Sequence, residues 1–249
     1  MARGFTSFVK NNKNRTMGLR NAEKLKIGLV FLVFVVGVVL AIRIQTPEPR
    51  LPILNPSDLN PAVVADSMEG IGMNHVVAPF TLVDQMGQTR TEADVEGKIR
   101  VVNYFFTTCP SICMDMAVNM RTVQAAYLDN NVVQLLSHSA MPDYDQPEVL
   151  AAYAAANDVN SSRWWLLTGE PAELNRLART SYFAVLEEGQ GWNEHSFIHT
   201  ENLVLIDHKG RLRGYYDGTS AEEADLLIEH IGWLLKERAS DFRKTASQP

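Results

Sequence analysis

The chain has 249 residues, 46% hydrophobic and 21% charged, with a net charge of −6 and only two cysteines. Seven basic side chains against the single acid Glu23 give residues 1–26 a surplus of +6, leaving −12 on residues 27–249. An acidic body of that size argues against nucleic acid as a partner, because phosphate backbones select basic surfaces, and it buries enough core to fold without a disulfide.

In chain order, the basic stretch 1–26 precedes the uncharged run "IGLVFLVFVVGVVLAI", residues 27–42. With Lys26 and Arg43 snorkelling to headgroups, residues 27–44 approach the roughly 20 residues that a bilayer core requires, so a single transmembrane helix is predicted. No small-x-small cleavage pattern follows Leu40, which favours an uncleaved anchor over a signal peptide. The basic excess keeps residues 1–26 in the cytoplasm and exports the remainder. Residues 1–26 also lack an amphipathic transit helix, so the expected location is a bacterial inner membrane, single-pass, with the C-terminal domain in the periplasm.

The segment "TPEPRLPILNPSDLNP" has five prolines in sixteen residues, which predicts an extended linker over 45–74. A globular domain is expected over 75–240, followed by a polar tail, 241–249. "FTLVDQMGQTR" alternates and turns at Met86-Gly87, as a β-hairpin does, and "TEAD" reads as a capping box opening a short helix. "IRVVNYFF", residues 99–106, has the apolar continuity of a strand covered on both faces.

Both cysteines, Cys109 and Cys113, follow that strand in "TTCPSIC", and Met116, Met120, Val123 and Tyr127 then recur at helical spacing. Next come a strand "VVQLLSHS", a helix starting at Pro147, a strand "RWWLLTG" and a helix "PAELNRLARTSYF". The chain closes with two strands about a turn at His208-Lys209-Gly210. A last helix opens at Ser220…Glu223 and carries Leu227, Ile231 and Leu234 on one face. This order predicts an α/β thioredoxin-like fold with an added N-terminal β-hairpin and, ahead of it, the transmembrane helix.

On a helix, a spacing of four rises about 6 Å and places both sulfurs on one face. There they can form a disulfide or clamp a soft metal ion. A helix N-terminus would lower their thiol pKa values, and Pro110 suits a first-turn position. CxxxC is looser than the CxxC of dedicated disulfide exchangers and leans towards metal, which would need a third ligand. The histidines are His75, His138, His195, His199, His208 and His230. His208 at a turn and His230 in the last helix read as surface groups, His75 ends the linker, and His138 finishes its strand. His195 and His199 in "EHSFIHTENLVLID" precede a strand at the reactive end of the fold, which leaves the ligand open between them.

"VVNYFFTTCPSIC", "HTENLVLIDHKGRLRGYYDG" and a domain start near "APFTLVDQMGQ" together resemble the SCO/SenC family of membrane-anchored, thioredoxin-like copper proteins that assist cytochrome c oxidase assembly. The resemblance covers residues 75–238, the anchor and the tether. It implies copper, as Cu(I) or Cu(II), on Cys109, Cys113 and His199, the last lying 86 residues beyond the second cysteine. His195 has no ligand role in that pattern. The implied partners are the copper-bearing subunit of cytochrome c oxidase, a copper-donor chaperone and a thiol reductant. The implied role is a metallochaperone with redox-gated release from the cysteine pair. The alternative is a thiol–disulfide oxidoreductase acting on cysteines of the oxidase or of other exported proteins. Two positions depart from the family pattern. Met114 stands where a proline often follows the second cysteine, and Met141 stands where an aspartate is common.

Overall fold

A computed structural model describes residues 26–38, 41, 49–109, 112–184 and 201–246. The chain divides into two units, Met1–Pro49 and Arg50–Pro249. In the first, residues 26–38 form a helix, α1, whose apolar side chains are exposed: Ile27 by 70%, Phe31 by 64% and Phe34 by 65%. Among the described residues no helix is long and apolar enough to cross a membrane. The expected span, 27–44, runs beyond α1 into residues outside the described ones.

The second unit is built on one seven-stranded sheet. Its strands are β1 (Thr81–Asp84), β2 (Thr89–Thr91), β3 (Ile99–Phe105), β4 (Val133–Ser139), β5 (Trp164–Thr168), β6 (Asn202–Ile206) and β7 (Leu212–Asp217), in the spatial order β2-β1-β5-β4-β3-β6-β7. Strands β3, β4 and β5 run parallel, joined by α2 (Ile112–Ala126) and α3 (Pro147–Ala156). After α4 (Pro171–Thr180) the chain returns as the antiparallel pair β6–β7, and α5 (Ala221–Ala246) closes it. The sheet centre, β3, is flanked by β4 in parallel and β6 in antiparallel pairing. This is the thioredoxin-like core, and the β1–β2 hairpin is added at the far edge through β5.

Period-2 alternation along the buried strands sorts side chains into two cores. Val102, Tyr104, Leu136, Leu167 and Val204 pack with Leu174 and Leu177 of α4 on one face. Val101, Phe105, Leu135, Leu166 and Leu205 pack on the other with Met116 and Met120 of α2, Leu150 of α3, and Leu227 and Ile231 of α5. The cysteines belong to this second face. Each fully buried aliphatic side chain there contributes about 1.5–3 kcal/mol relative to exposure. The expected hairpin is present: Asp84 Oδ1 accepts from the Met86 and Gln88 amides at 2.8 and 2.9 Å, and Gly87 supplies a φ of +71°. The "TEAD" cap is present as well, with Asp94 Oδ2 accepting from the Thr91 amide at 2.7 Å.

The linker expected over 45–74 belongs, from Arg50 onward, to the folded unit. Leu54 bridges to Leu212 of β7, and Val64 is buried in the first core. Pro56 and Pro61 each begin a 3-10 turn, where a missing N–H costs nothing. At the other end α5 continues through Ala246, past the domain end expected at 240.

Candidate metal centre

Strand β3 ends at Phe105, and the chain turns through Phe106–Cys109 into α2. The Cys109 amide donates to the Phe106 carbonyl at 3.2 Å, closing that turn. Cys109 is partly buried and packs on the second core; Cys113, in the first turn of α2, is only 6% exposed. Both are free thiols, and the two side chains hydrogen-bond one another. Burial pushes the Cys113 thiol up to about 12, and the neighbouring Cys109 adds to this, while the Phe106 backbone offsets part of it. At Cys113 the helix terminus therefore does not deliver the lowered pKa expected from sequence, because desolvation dominates. Burial thus holds Cys113 as a thiol, which a bound cation or oxidation would deprotonate.

Two walls surround it. On one side α2, β6 and β7 are tied together: Asn119 Nδ2 donates to the Gly218 carbonyl at 2.7 Å, and the Gly218 amide donates to the Glu201 carbonyl at 2.6 Å. Antiparallel pairing of Val102 with Val204 brings Glu201 and Asn202 to the same end of β3 as the cysteines. On the other side stands the turn after β4. Its Asp145 accepts from Thr107, and Met141 Sδ lies 4.0 Å from Thr108 Oγ1. Met114 is 63% exposed and points away from the core. Tyr153 of α3 lies tilted against Phe105, with ring centroids 5.3 Å apart. Burial and the neighbouring Cys113 push its hydroxyl up to about 12.

Of the three residues implied as ligands, the structure brings Cys109 and Cys113 together. His199, like His195, lies outside the described residues. The other histidines are placed away from the pair. His75 is buried with Nε2 3.0 Å from the Ser181 carbonyl oxygen. His208 is not the surface group expected, for its side chain is 6% exposed against α5, with Asp241 3.5 Å away. His230 is likewise partly covered, taking part in a 2.7 Å hydrogen bond with the Tyr216 hydroxyl and lying against Trp233.

His138 sits fully buried between Tyr104 and Tyr182, and among the described residues neither ring nitrogen has a hydrogen-bond partner of normal geometry. Burial pulls its pKa down from 6.5 to about 3. A depressed histidine supports the fold above its unfolded pKa and loses that support as pH falls, at up to about 1.4 kcal/mol per pH unit. We expect urea unfolding to show stability declining from pH 6.5 towards 3, and His138→Phe to flatten that decline without loss at pH 7. A slope unchanged by the substitution would assign the acid sensitivity elsewhere.

Fold and site together define a thioredoxin-like domain that carries a reduced CxxxC pair where β3 meets α2. The SCO1/SenC family profile matches residues 68–236, and the chain belongs to that family. Among curated relatives, a SCO1 protein homolog of Bacillus subtilis is 27% identical over 161 residues, 64% of this chain and 82% of the relative. Protein SenC of Rhodobacter capsulatus is 25% identical over 167 residues, 67% and 73% of the two chains. Among solved structures, a SCO1/SenC family lipoprotein from Bacillus anthracis is 30% identical with a TM-score of 0.55, over 66% of this chain and 96% of that one. BsSco, a Sco-family cytochrome c oxidase assembly protein with a disulfide switch, is 26% identical with a TM-score of 0.53, over 64% and 94%.

Proposed function

We propose that this chain is a copper-handling assembly factor that delivers copper to, or prepares, the binuclear copper site of cytochrome c oxidase. Cys109, Cys113 and His199 would hold the metal. The observation that carries this reading is the sheltered pair of free thiols in mutual contact at the end of β3, in a chain with no other cysteine. Thiolate sulfur and imidazole are soft and borderline donors that suit copper(I). His199 is two residues from Glu201, which stands at the same end of β3 as the pair. BsSco's role in oxidase assembly and its disulfide switch are properties of that relative, and they support the same assignment here.

Oxidation of the pair, two thiols giving up two electrons and two protons to a partner disulfide, would remove both sulfur donors and release the metal. The uncovered apolar face of α1 supports a bilayer as the surroundings of residues 27–44. The domain is then held in the periplasm near its membrane-embedded partner. The test is an anaerobic copper(I) titration of the reduced full-length chain in detergent against a competing chelator, beside His199→Ala. One tight equivalent, weakened about tenfold or more by the substitution, is expected. Weak binding, or binding indifferent to His199, would overturn the three-ligand site and leave disulfide exchange by the same pair as the function.

A further inference from the structure

Asp145 is fully buried, and among the described residues the hydrogen bonds it accepts come from neutral donors. Its Oδ2 accepts from the Ser139 hydroxyl at 2.6 Å. Its Oδ1 accepts from the Thr107 hydroxyl at 2.5 Å, and both oxygens lie 3.4 Å from the Thr107 amide nitrogen. A carboxylate so placed is costly, since neutral donors replace water incompletely. Besides the bond from Ser139, the turn it sits in has hydrogen bonds that do not use the carboxylate. There the Met141 carbonyl already accepts from the Tyr144 and Asp145 amides at 3.0 and 2.9 Å, and the Ser139 hydroxyl accepts from the Met141 amide at 3.0 Å. What the carboxylate adds is a reach across 38 residues to the cysteine loop.

Thr107 lies two residues before Cys109, and the Cys109 amide closes on the Phe106 carbonyl around it. Cys113, by contrast, is fixed by the burial of α2. The separation of the two sulfurs therefore depends on where the loop is held, and the loop is held through Thr107. We infer that Asp145 is a positioning residue: by clamping Thr107 it sets Cys109 against Cys113 and thereby poises the pair for bond formation. The inference rests on the pair being the working site, but not on copper.

The test is the equilibrium of the pair with glutathione in the full-length chain. Glutathione disulfide takes up two electrons and two protons to leave as two thiols, while Cys109 and Cys113 lose them and join. The same measurement is made on Asp145→Asn, Thr107→Ala and Thr107→Ser, and thermal unfolding midpoints are recorded for the oxidised and reduced forms. Releasing the loop lowers the effective concentration of one thiol at the other, so the first two variants should lose about tenfold in the equilibrium constant, which is about 30 mV for this two-electron couple. Thr107→Ser keeps the hydroxyl and should retain the parent value.

A merely structural Asp145 would lower both unfolding midpoints equally and leave the glutathione equilibrium untouched, and that result overturns the inference. Should Asp145→Asn fail to fold, Thr107→Ala decides alone, since it leaves the Asp145–Ser139 bond in place. A parent that fails to bind copper would refute the copper assignment while leaving this equilibrium measurable.

Discussion

Replacing Cys113 by serine is expected to lower copper(I) affinity by more than about a hundredfold, because removing groups one shell further out from a metal already costs about 10–100-fold. A serine hydroxyl is a hard donor that stays protonated, so it replaces neither the charge nor the polarisability of a thiolate. At this position the loss is compounded by shelter: Cys113 is 6% exposed, and little water can enter to complete the coordination. Cys109→Ser should lose as much sulfur ligation but show partial recovery in water-rich conditions, since Cys109 is partly open to solvent. Chelator competition on the reduced full-length chain reads both, and the ultraviolet sulfur-to-copper absorption should fall in step. Serine variants that keep the parent affinity would remove the pair from the metal site altogether.

The elements around that site were largely legible. "IRVVNYFF" reads as a doubly covered strand because β3 feeds both cores, and the hairpin strands announce themselves through their alternation, the Met86-Gly87 turn and the Thr91 cap. What was illegible depends on contacts distant in sequence. Proline density over 46–61 predicts missing local hydrogen bonds, yet cannot disclose that Leu54 meets Leu212 or that Val64 enters the core. His208 sits at a turn, where exposure is the ordinary expectation, but α5 is long enough to cover it. Asp145 precedes a helix-opening proline and resembles any polar residue of a loop; its link to Thr107 is a tertiary fact with no periodicity to reveal it. The one available signal was its place in the turn that follows the strand beside β3.

Arg213→Met should destabilise the domain by about 3 kcal/mol, the range for stranding a buried ion-pair partner. Arg213 is 3% exposed and commits all five guanidinium N–H donors. Nη1 donates to Asp207 at 2.9 Å and to Glu237 at 3.0 Å, and Nη2 to Glu237 at 2.9 Å and to the Leu51 carbonyl at 2.7 Å. Nε donates to the Pro52 carbonyl at 2.9 Å. One side chain thus joins β7, the β6–β7 turn, α5 and the first residues of the folded unit. Burial alone would raise the Asp207 carboxyl, but hydrogen bonds from Arg211 and Arg213 outweigh it and hold the group below its ordinary range. That contribution is present above the unfolded carboxylate pKa near 3.8 and is lost as pH falls below it. The expected cost is moderated because Arg211 stays beside Asp207 at 2.6 Å and Glu237 is 20% exposed. Arg213→Lys should recover less than half, since an ammonium cannot span two carbonyl and two carboxylate partners in one plane. Residues 51–54 should become the first site cut by protease in either variant. By contrast, Lys209→Ala, which removes an exposed ion pair with Asp241, should change stability by less than about 1 kcal/mol. Urea unfolding at pH 7 compares all three variants. An Arg213→Met loss no larger than that of Lys209→Ala would mean that the buried network is no stronger than a surface pair, and that other contacts attach residues 51–54.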